Sequence, residues 1–158
     1  MNNTIYPIYI LARVALEIQE QCKKAVPNET LGRLLGYRCS YQGQNYVKIV
    51  DWIGGTIDAG YAFAQFTSQG SRECELYCDE KYGDTRMRPK EVGLFHSHPF
   101  NVEPHFSSID YGTFLSFPYN HPGNVFLLLD PLSKYFKAFI VTSDKNTLQQ
   151  VSFIVYHP

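Results

Sequence analysis

Two histidines that flank a single residue, with a proline directly after them and an aspartate a short loop later, constrain this chain more than any other feature. The first stretch is His96-Ser97-His98-Pro99, and after seven further residues comes Ser107-Ser108-Ile109-Asp110. The apolar residues before it predict a strand, on which residues i and i+2 project from one face with Cα atoms about 6.5–7 Å apart. His96 and His98 are therefore expected to point together, and Ser97 to point away.

The second stretch predicts a helix that begins near the end of this strand. Pro99 cannot donate a hydrogen bond to a sheet and is expected to end the strand. Ser107 is a typical N-cap residue, which places Asp110 in the first helical turn. Two neutral imidazoles and a carboxylate suit zinc, with water in the fourth position. The pattern predicts one zinc ion held by His96, His98 and Asp110. The alternative is that both histidines are ordinary strand residues and that Ser107 only caps a helix.

A hydrolytic zinc site also needs a base, and Glu29 is the candidate. It lies just before residues 31–36, an apolar segment with the composition of a strand. Gly32 and Gly36 within that segment would allow another backbone or a substrate to approach closely. An isolated acid at such a place is more often a solvated loop residue, so the pattern around Glu29 alone leaves its role open.

Taken together, these residues resemble those of the JAMM metalloproteases, which are also called the MPN-plus or JAB family. The stretches that carry the resemblance are Glu29-Thr30-Leu31-Gly32, Leu34-Leu35-Gly36, His96-Ser97-His98-Pro99 and Ser107-Ser108-Ile109-Asp110. The resemblance implies zinc held by the two histidines and the aspartate, with Glu29 as general acid/base. It implies that Ser107 donates a hydrogen bond that orients water or stabilises the oxyanion.

The same resemblance implies a fold and a substrate class. The fold would be a single α+β domain over residues 1–158, of the JAB/MPN type that is related to cytidine deaminases. The activity would be hydrolysis of a peptide or isopeptide bond after the C-terminus of ubiquitin or a ubiquitin-like protein. A compact prokaryotic member of a ubiquitination-like system, with E1-like and E2-like partners, fits this expectation. Processing of a sulfur-carrier protein and a non-catalytic MPN scaffold are the alternatives.

The chain departs from the family pattern in the residues around the motifs. Leu31 and Phe100 stand where glycine is common, which bears on the fit of a substrate more than on metal binding. The loop between the motifs carries Glu103 and His105, which could bind metal or contact a substrate but are more often solvated in such a loop.

The amino-acid composition limits the kinds of partner and the cellular location that we expect for this protein. The 158 residues have a formal net charge of −1 and no basic run, which argues against nucleic acid as a partner. No segment approaches the ~20 apolar residues of a membrane span, so a cytoplasmic protein is expected. The four cysteines form no CxxC motif and are expected to be free thiols. Cys74 and Cys78 would lie one turn apart on a helix, where a second metal site is conceivable.

Periodicity predicts alternating helices and strands and no internal repeat. The predicted helices cover residues 11–26 and 71–82, and a third begins after Ser107. The predicted strands are 5–10, 31–37, 46–53, the strand leading into His96, 126–129, 135–141 and 151–156, with residues 54–70 as the least regular part. The expected architecture is an α+β sandwich in which helices pack against a curved mixed sheet.

Overall fold

The computed structural model describes residues 7–54, 57–59, 64–66, 68–116, 119–133 and 135–158. Helices and strands alternate along these residues. In chain order they are β1 (Ile8–Leu11), α1 (Ala12–Ala25), β2 (Leu31–Tyr41), β3 (Gln44–Ile53), β4 (Ile57–Ala59), β5 (Ala64–Phe66), α2 (Ser68–Tyr82), β6 (Lys90–Ser97), α3 (Ser108–Phe114), β7 (Val125–Leu129), β8 (Phe136–Val141), β9 (Leu148–Val151) and β10 (Phe153–Tyr156).

Eight of these strands form one mixed sheet in the order β10-β1-β3-β2-β6-β7-β8-β9. Strand β1 runs parallel to both of its neighbours and β6 runs parallel to β7, whereas the other pairs are antiparallel. Only Ser152 separates β9 from β10, although these strands lie at opposite ends of the order. One extended run therefore pairs first with β8 and then with β1, and the sheet is nearly closed, like a barrel. The α+β class and the mixed sheet are as predicted.

The two faces of the sheet carry different helices. On one face, the apolar stripe of α1 (Val14, Ala15, Ile18 and Cys22) packs into a core with Ile8, Ile10, Val47, Ile49 and Phe95. On the other face, Phe106 and Phe114 pack with Leu31, Leu94, Phe126 and Leu128. Alternation along β6 sends Leu94 to the α3 face and Phe95 to the α1 face. The same alternation directs His96 toward α3 and Ser97 toward α1.

A β-bulge redirects the end of β3. Gly36 pairs with Ile49 and Leu35 pairs with Asp51, so Val50 is left over and the side chains beyond it change faces. Gly36 is needed nearby, because a Cβ there would lie 2.0 Å from the Lys48 carbonyl oxygen. The prediction that this glycine permits a close approach is confirmed.

The observed strands differ from the predicted ones where pairing with a neighbouring strand decides at which residue a strand begins or ends. The hairpin between β2 and β3 turns on only two residues, Gln42 and Gly43, both with positive φ, so both strands are longer than predicted. The predicted strand 151–156 is two strands, because its neighbour changes at Ser152. Within residues 54–70, the short strands β4 and β5 pair with each other and α2 already begins at Ser68; residues 55–56, 60–63 and 67 lie outside the described part.

No helix in the described ranges is long and apolar enough to cross a bilayer.

Candidate metal centre

The pairing of β2 with β6 brings Glu29 to the histidines. Leu31 is the partner of His96 across these strands, and the Ser97 N–H donates to the Thr30 carbonyl at 3.0 Å. Glu29 lies two residues before Leu31, the first residue of β2. It is buried, with 3% of its surface exposed, so it is not the solvated loop acid that is common at such positions.

Four side chains converge at this place. The Glu29 Oε1 atom lies 3.0 Å from His96 Nε2 and 3.2 Å from His98 Nε2. From the other side, Asp110 places Oδ1 3.3 Å from His96 Nε2 and Oδ2 3.1 Å from His98 Nε2. Each imidazole therefore stands between two carboxylates. The prediction that His96 and His98 point together is confirmed, although His98 lies one residue beyond β6.

The N-terminus of α3 delivers Asp110, as predicted. Ser107 is the N-cap residue, and its Oγ accepts a hydrogen bond from the Asp110 N–H at 3.1 Å. In return, the Ser107 N–H donates to Asp110 Oδ2 at 2.8 Å, which completes a capping box. This reciprocal pair fixes the carboxylate against His98. Ser107 is thus an exposed cap that orients Asp110, and its role toward an oxyanion stays a prediction.

Aromatic rings pack around the imidazoles. The Phe114 ring lies 5.9 Å from that of His96, and the Phe100 ring lies 5.8 Å from that of His98. Phe106 in turn packs edge-on against Phe114, with ring centroids 5.4 Å apart. These apolar contacts keep water from one side of the cluster and strengthen the electrostatic interactions within it.

The charges of the cluster are strongly coupled. Burial alone would lower the pKa of His96, but the neighbouring carboxylates of Asp110 and Glu29 outweigh it and raise that pKa to about 9. Burial would raise the pKa of Asp110, but His96, His98 and the Ser107 N–H hold it well below its usual range. Two buried carboxylates need compensating positive charge. A protonated imidazole or a bound cation would supply it, and the proton and the cation would compete for the same nitrogen.

One further observation indicates that the residues of this cluster fit a divalent metal ion. Both ring nitrogens of His96 are buried and lack a hydrogen-bond partner with acceptable geometry among the described residues, although Nε2 is close to two carboxylates. An unsatisfied buried nitrogen costs about 1–3 kcal/mol. A cation bound at Nε2 would remove that cost for this atom.

Glu29, His96 and His98 each offer one ligand atom within 4.8 Å of the others, and all three are buried. The predicted ligand set has Asp110 in place of Glu29. Both carboxylates contact both Nε2 atoms, so the division of roles between them stays a prediction. Nitrogen and carboxylate donors accept several divalent metals, with zinc among them.

Other predicted candidates lie apart from this cluster. Glu103 forms an ion pair with Lys137 at 2.8 Å. His105 is exposed and joins no group that could hold a metal among the described residues. All four cysteines are free thiols, and Cys74 and Cys78 lie buried on α2. Burial raises the pKa of Cys74 to about 12.

Sequence reasoning missed how the loop between His98 and Ser107 is held. Asp130 is buried at the end of β7, where Oδ2 accepts from the Val102 N–H at 3.0 Å and Oδ1 from the Leu132 N–H at 2.8 Å. Lys137 adds its ion pair with Glu103. An aspartate directly after an apolar strand was the available signal for the first of these.

Comparisons with known proteins inform the fold. The sequence matches no protein-family model and no curated protein. The structure is similar to the solution structure of protein DSY2949 from Desulfitobacterium hafniense, with a TM-score of 0.65 and 21% sequence identity over 96% of this chain and 94% of that chain. At this identity the likeness shows that the two chains share a fold.

Proposed function

We propose that this protein is a zinc-dependent peptidase or isopeptidase of the JAMM type. The observation that carries the proposal is the convergence of Glu29, His96, His98 and Asp110 in one buried cluster. The spacing of these residues along the chain resembles that family. The proposed substrate is a ubiquitin-like protein or its conjugate, cleaved after the C-terminus of the ubiquitin-like part, and this substrate class depends on the resemblance.

In this proposal, Nε2 of His96, Nε2 of His98 and the Asp110 carboxylate hold the ion. When bound, zinc supplies a Lewis acid that lowers the pKa of water and polarises a carbonyl group. Glu29 Oε1 takes the proton of the attacking water and later gives it to the departing amine. The Ser107 hydroxyl donates a hydrogen bond to the developing oxyanion. The reaction needs no covalent intermediate with the protein.

The burial of Glu29 supports its assignment as the base. Its carboxylate has little access to bulk water, and it touches both imidazoles through one oxygen. A proton held there stays beside the reacting groups.

We place the protein in the cytoplasm, in a ubiquitination-like pathway with E1-like and E2-like partners.

The experiment that tests the proposal is a cleavage assay on zinc-loaded protein. The substrate is a ubiquitin-like protein joined through its C-terminus to a fluorescent amine, and a second arm carries a sulfur-carrier protein with a C-terminal extension. We expect release of the amine that a chelator abolishes and added zinc restores. Zinc-loaded protein that cleaves neither substrate would contradict the proposal.

A further inference from the structure

Strands β2 and β6 part at the candidate metal centre. Leu31 and His96 are the last pair, and if the ladder continued, the next pair would be Thr30 with Ser97. In a regular antiparallel ladder these two residues exchange two backbone hydrogen bonds. One of them is present, from the Ser97 N–H to the Thr30 carbonyl at 3.0 Å. The other is replaced, because the Thr30 N–H donates to the Ser97 hydroxyl oxygen at 2.9 Å.

The Ser97 side chain therefore substitutes for a carbonyl of the ladder where the strands diverge. Ser97 is fully buried and Thr30 is 2% exposed, so water does not serve as an easy alternative partner for this N–H. Burial raises the pKa of the neighbouring Cys22 thiol of α1 to about 12, and the Ser97 side chain opposes this rise. The two Thr30–Ser97 hydrogen bonds tie the backbone next to Glu29 to the histidine strand.

We propose that Ser97 is a positioning residue that holds Glu29 within reach of both histidines. Thr30 directly follows Glu29, whose Oε1 atom lies 3.0 and 3.2 Å from the two Nε2 atoms. With the strands diverging here, the Ser97 hydroxyl supplies the second of the two hydrogen bonds that keep the segment before β2 close to β6. Ser97 touches neither substrate nor ion and acts through Glu29. The inference rests on the proposed metal centre.

The test uses cobalt, because its visible absorption reports on the surroundings of the bound ion. Ser97→Ala removes the acceptor of the Thr30 N–H, and Ser97→Thr keeps it. The matched control is Cys22→Ala, which disturbs the same buried place but leaves the Thr30–Ser97 bond intact. Each is made alone and with Glu29→Gln. The readouts are the Co²⁺ spectrum, the Co²⁺ affinity by chelator competition, and kcat and KM.

We expect Ser97→Ala to change the Co²⁺ spectrum and to lower metal affinity or kcat by about tenfold, the size typical of groups that support a metal site indirectly. Ser97→Thr restores both, and Cys22→Ala changes neither. In the Glu29→Gln background, Ser97→Ala has no further effect on the spectrum. If Ser97→Ala does not fold, Ser97→Cys takes its place with the same expectations.

The outcomes separate this inference from the proposed function. Wild-type protein that binds no Co²⁺ overturns both. Wild-type protein that binds Co²⁺, with an unchanged spectrum and affinity in Ser97→Ala, overturns the role of Ser97 alone. An equal change in Cys22→Ala, or a change that persists in the Glu29→Gln background, shows a general packing effect and also overturns it.

Discussion

Two of the buried polar groups in the described part of this sheet are built in opposite ways. The first surrounds Asp51, which is 2% exposed. Its Oδ1 accepts from the Trp52 N–H at 2.9 Å, and its Oδ2 accepts from the Tyr77 hydroxyl at 2.9 Å and from Lys81 Nζ at 2.8 Å. The Tyr82 hydroxyl donates to the same oxygen. Donors from the protein itself satisfy this carboxylate, which joins α2 to β3.

The candidate metal centre has the opposite balance. Two carboxylates face two imidazoles there, and the ring nitrogens of His96 lack well-formed hydrogen bonds to the described residues. The hydrogen bonds of the Asp51 group are complete without a ligand, whereas the candidate metal centre has the donor atoms to bind a cation. Burial of acidic side chains is therefore not by itself a sign of a site. The useful sign is a buried set of electron-pair donors that the protein leaves unsatisfied.

Removal of one imidazole from the candidate metal centre is the change with the largest expected effect. Without His98 Nε2 the cluster keeps one nitrogen donor and two mutually repelling carboxylates. We expect His98→Ala to reduce bound zinc from about one ion per chain to nearly none. Elemental analysis after dialysis measures this. Full zinc occupancy in this variant would show that His98 is not a ligand, and the contrast between the candidate metal centre and the Asp51 group would no longer hold.

Glu29→Gln keeps the size of the side chain but cannot accept the proton. If Glu29 is the base and not an essential ligand, zinc content stays near one ion per chain. Turnover on the fluorescent substrate falls by about 100-fold or more. A variant that keeps more than a few percent of the activity would show that another group is the base, and one that loses its zinc would make Glu29 a ligand.

Asp51→Asn tests the other group. The change leaves the partly exposed Lys81 and two tyrosine hydroxyls around a neutral amide, so we expect a loss of about 2 kcal/mol in the free energy of unfolding. Zinc content should not change. Urea denaturation and elemental analysis measure the two quantities. If the variant lost zinc but kept its stability, the roles of the two groups would be reversed.

The smallest expected effect is a pH dependence. Burial would raise the pKa of Asp51, but its hydrogen bonds, with Lys81 the strongest, leave the pKa below its ordinary value. The stability that this carboxylate contributes is thus present above the unfolded pKa of about 3.9 and is lost as the pH falls below it. Unfolding of the wild type between pH 5 and pH 2 should depend on pH more steeply than that of Asp51→Asn. Parallel curves would contradict this.

Local patterns predicted much of the candidate site. Strand alternation fixes the common direction of His96 and His98, and helix capping fixes the place of Asp110, so both could be inferred from a few neighbouring residues. The position of Glu29 beside them depends on the pairing of β2 with β6, which spans more than sixty residues. Only the family resemblance pointed to it.

The Asp51 group shows why other parts could not be predicted. The bulge at Val50 changes the face on which Asp51 lies, and nothing in the residues around it announces the bulge. The division of the last predicted strand at Ser152 could not be predicted for a similar reason. One continuous run of residues pairs first with β8 and then with β1. Helix α1 needed no such information, since its stripe of apolar residues is visible in the sequence.

We propose that His96, His98 and Asp110 hold one divalent ion, with Glu29 beside it as the base. A crystal of the zinc-loaded protein, measured on both sides of the zinc absorption edge, tests it most directly. We expect a single anomalous peak at coordination distance from Nε2 of both His96 and His98. A map with no peak there, at full zinc saturation, would contradict it.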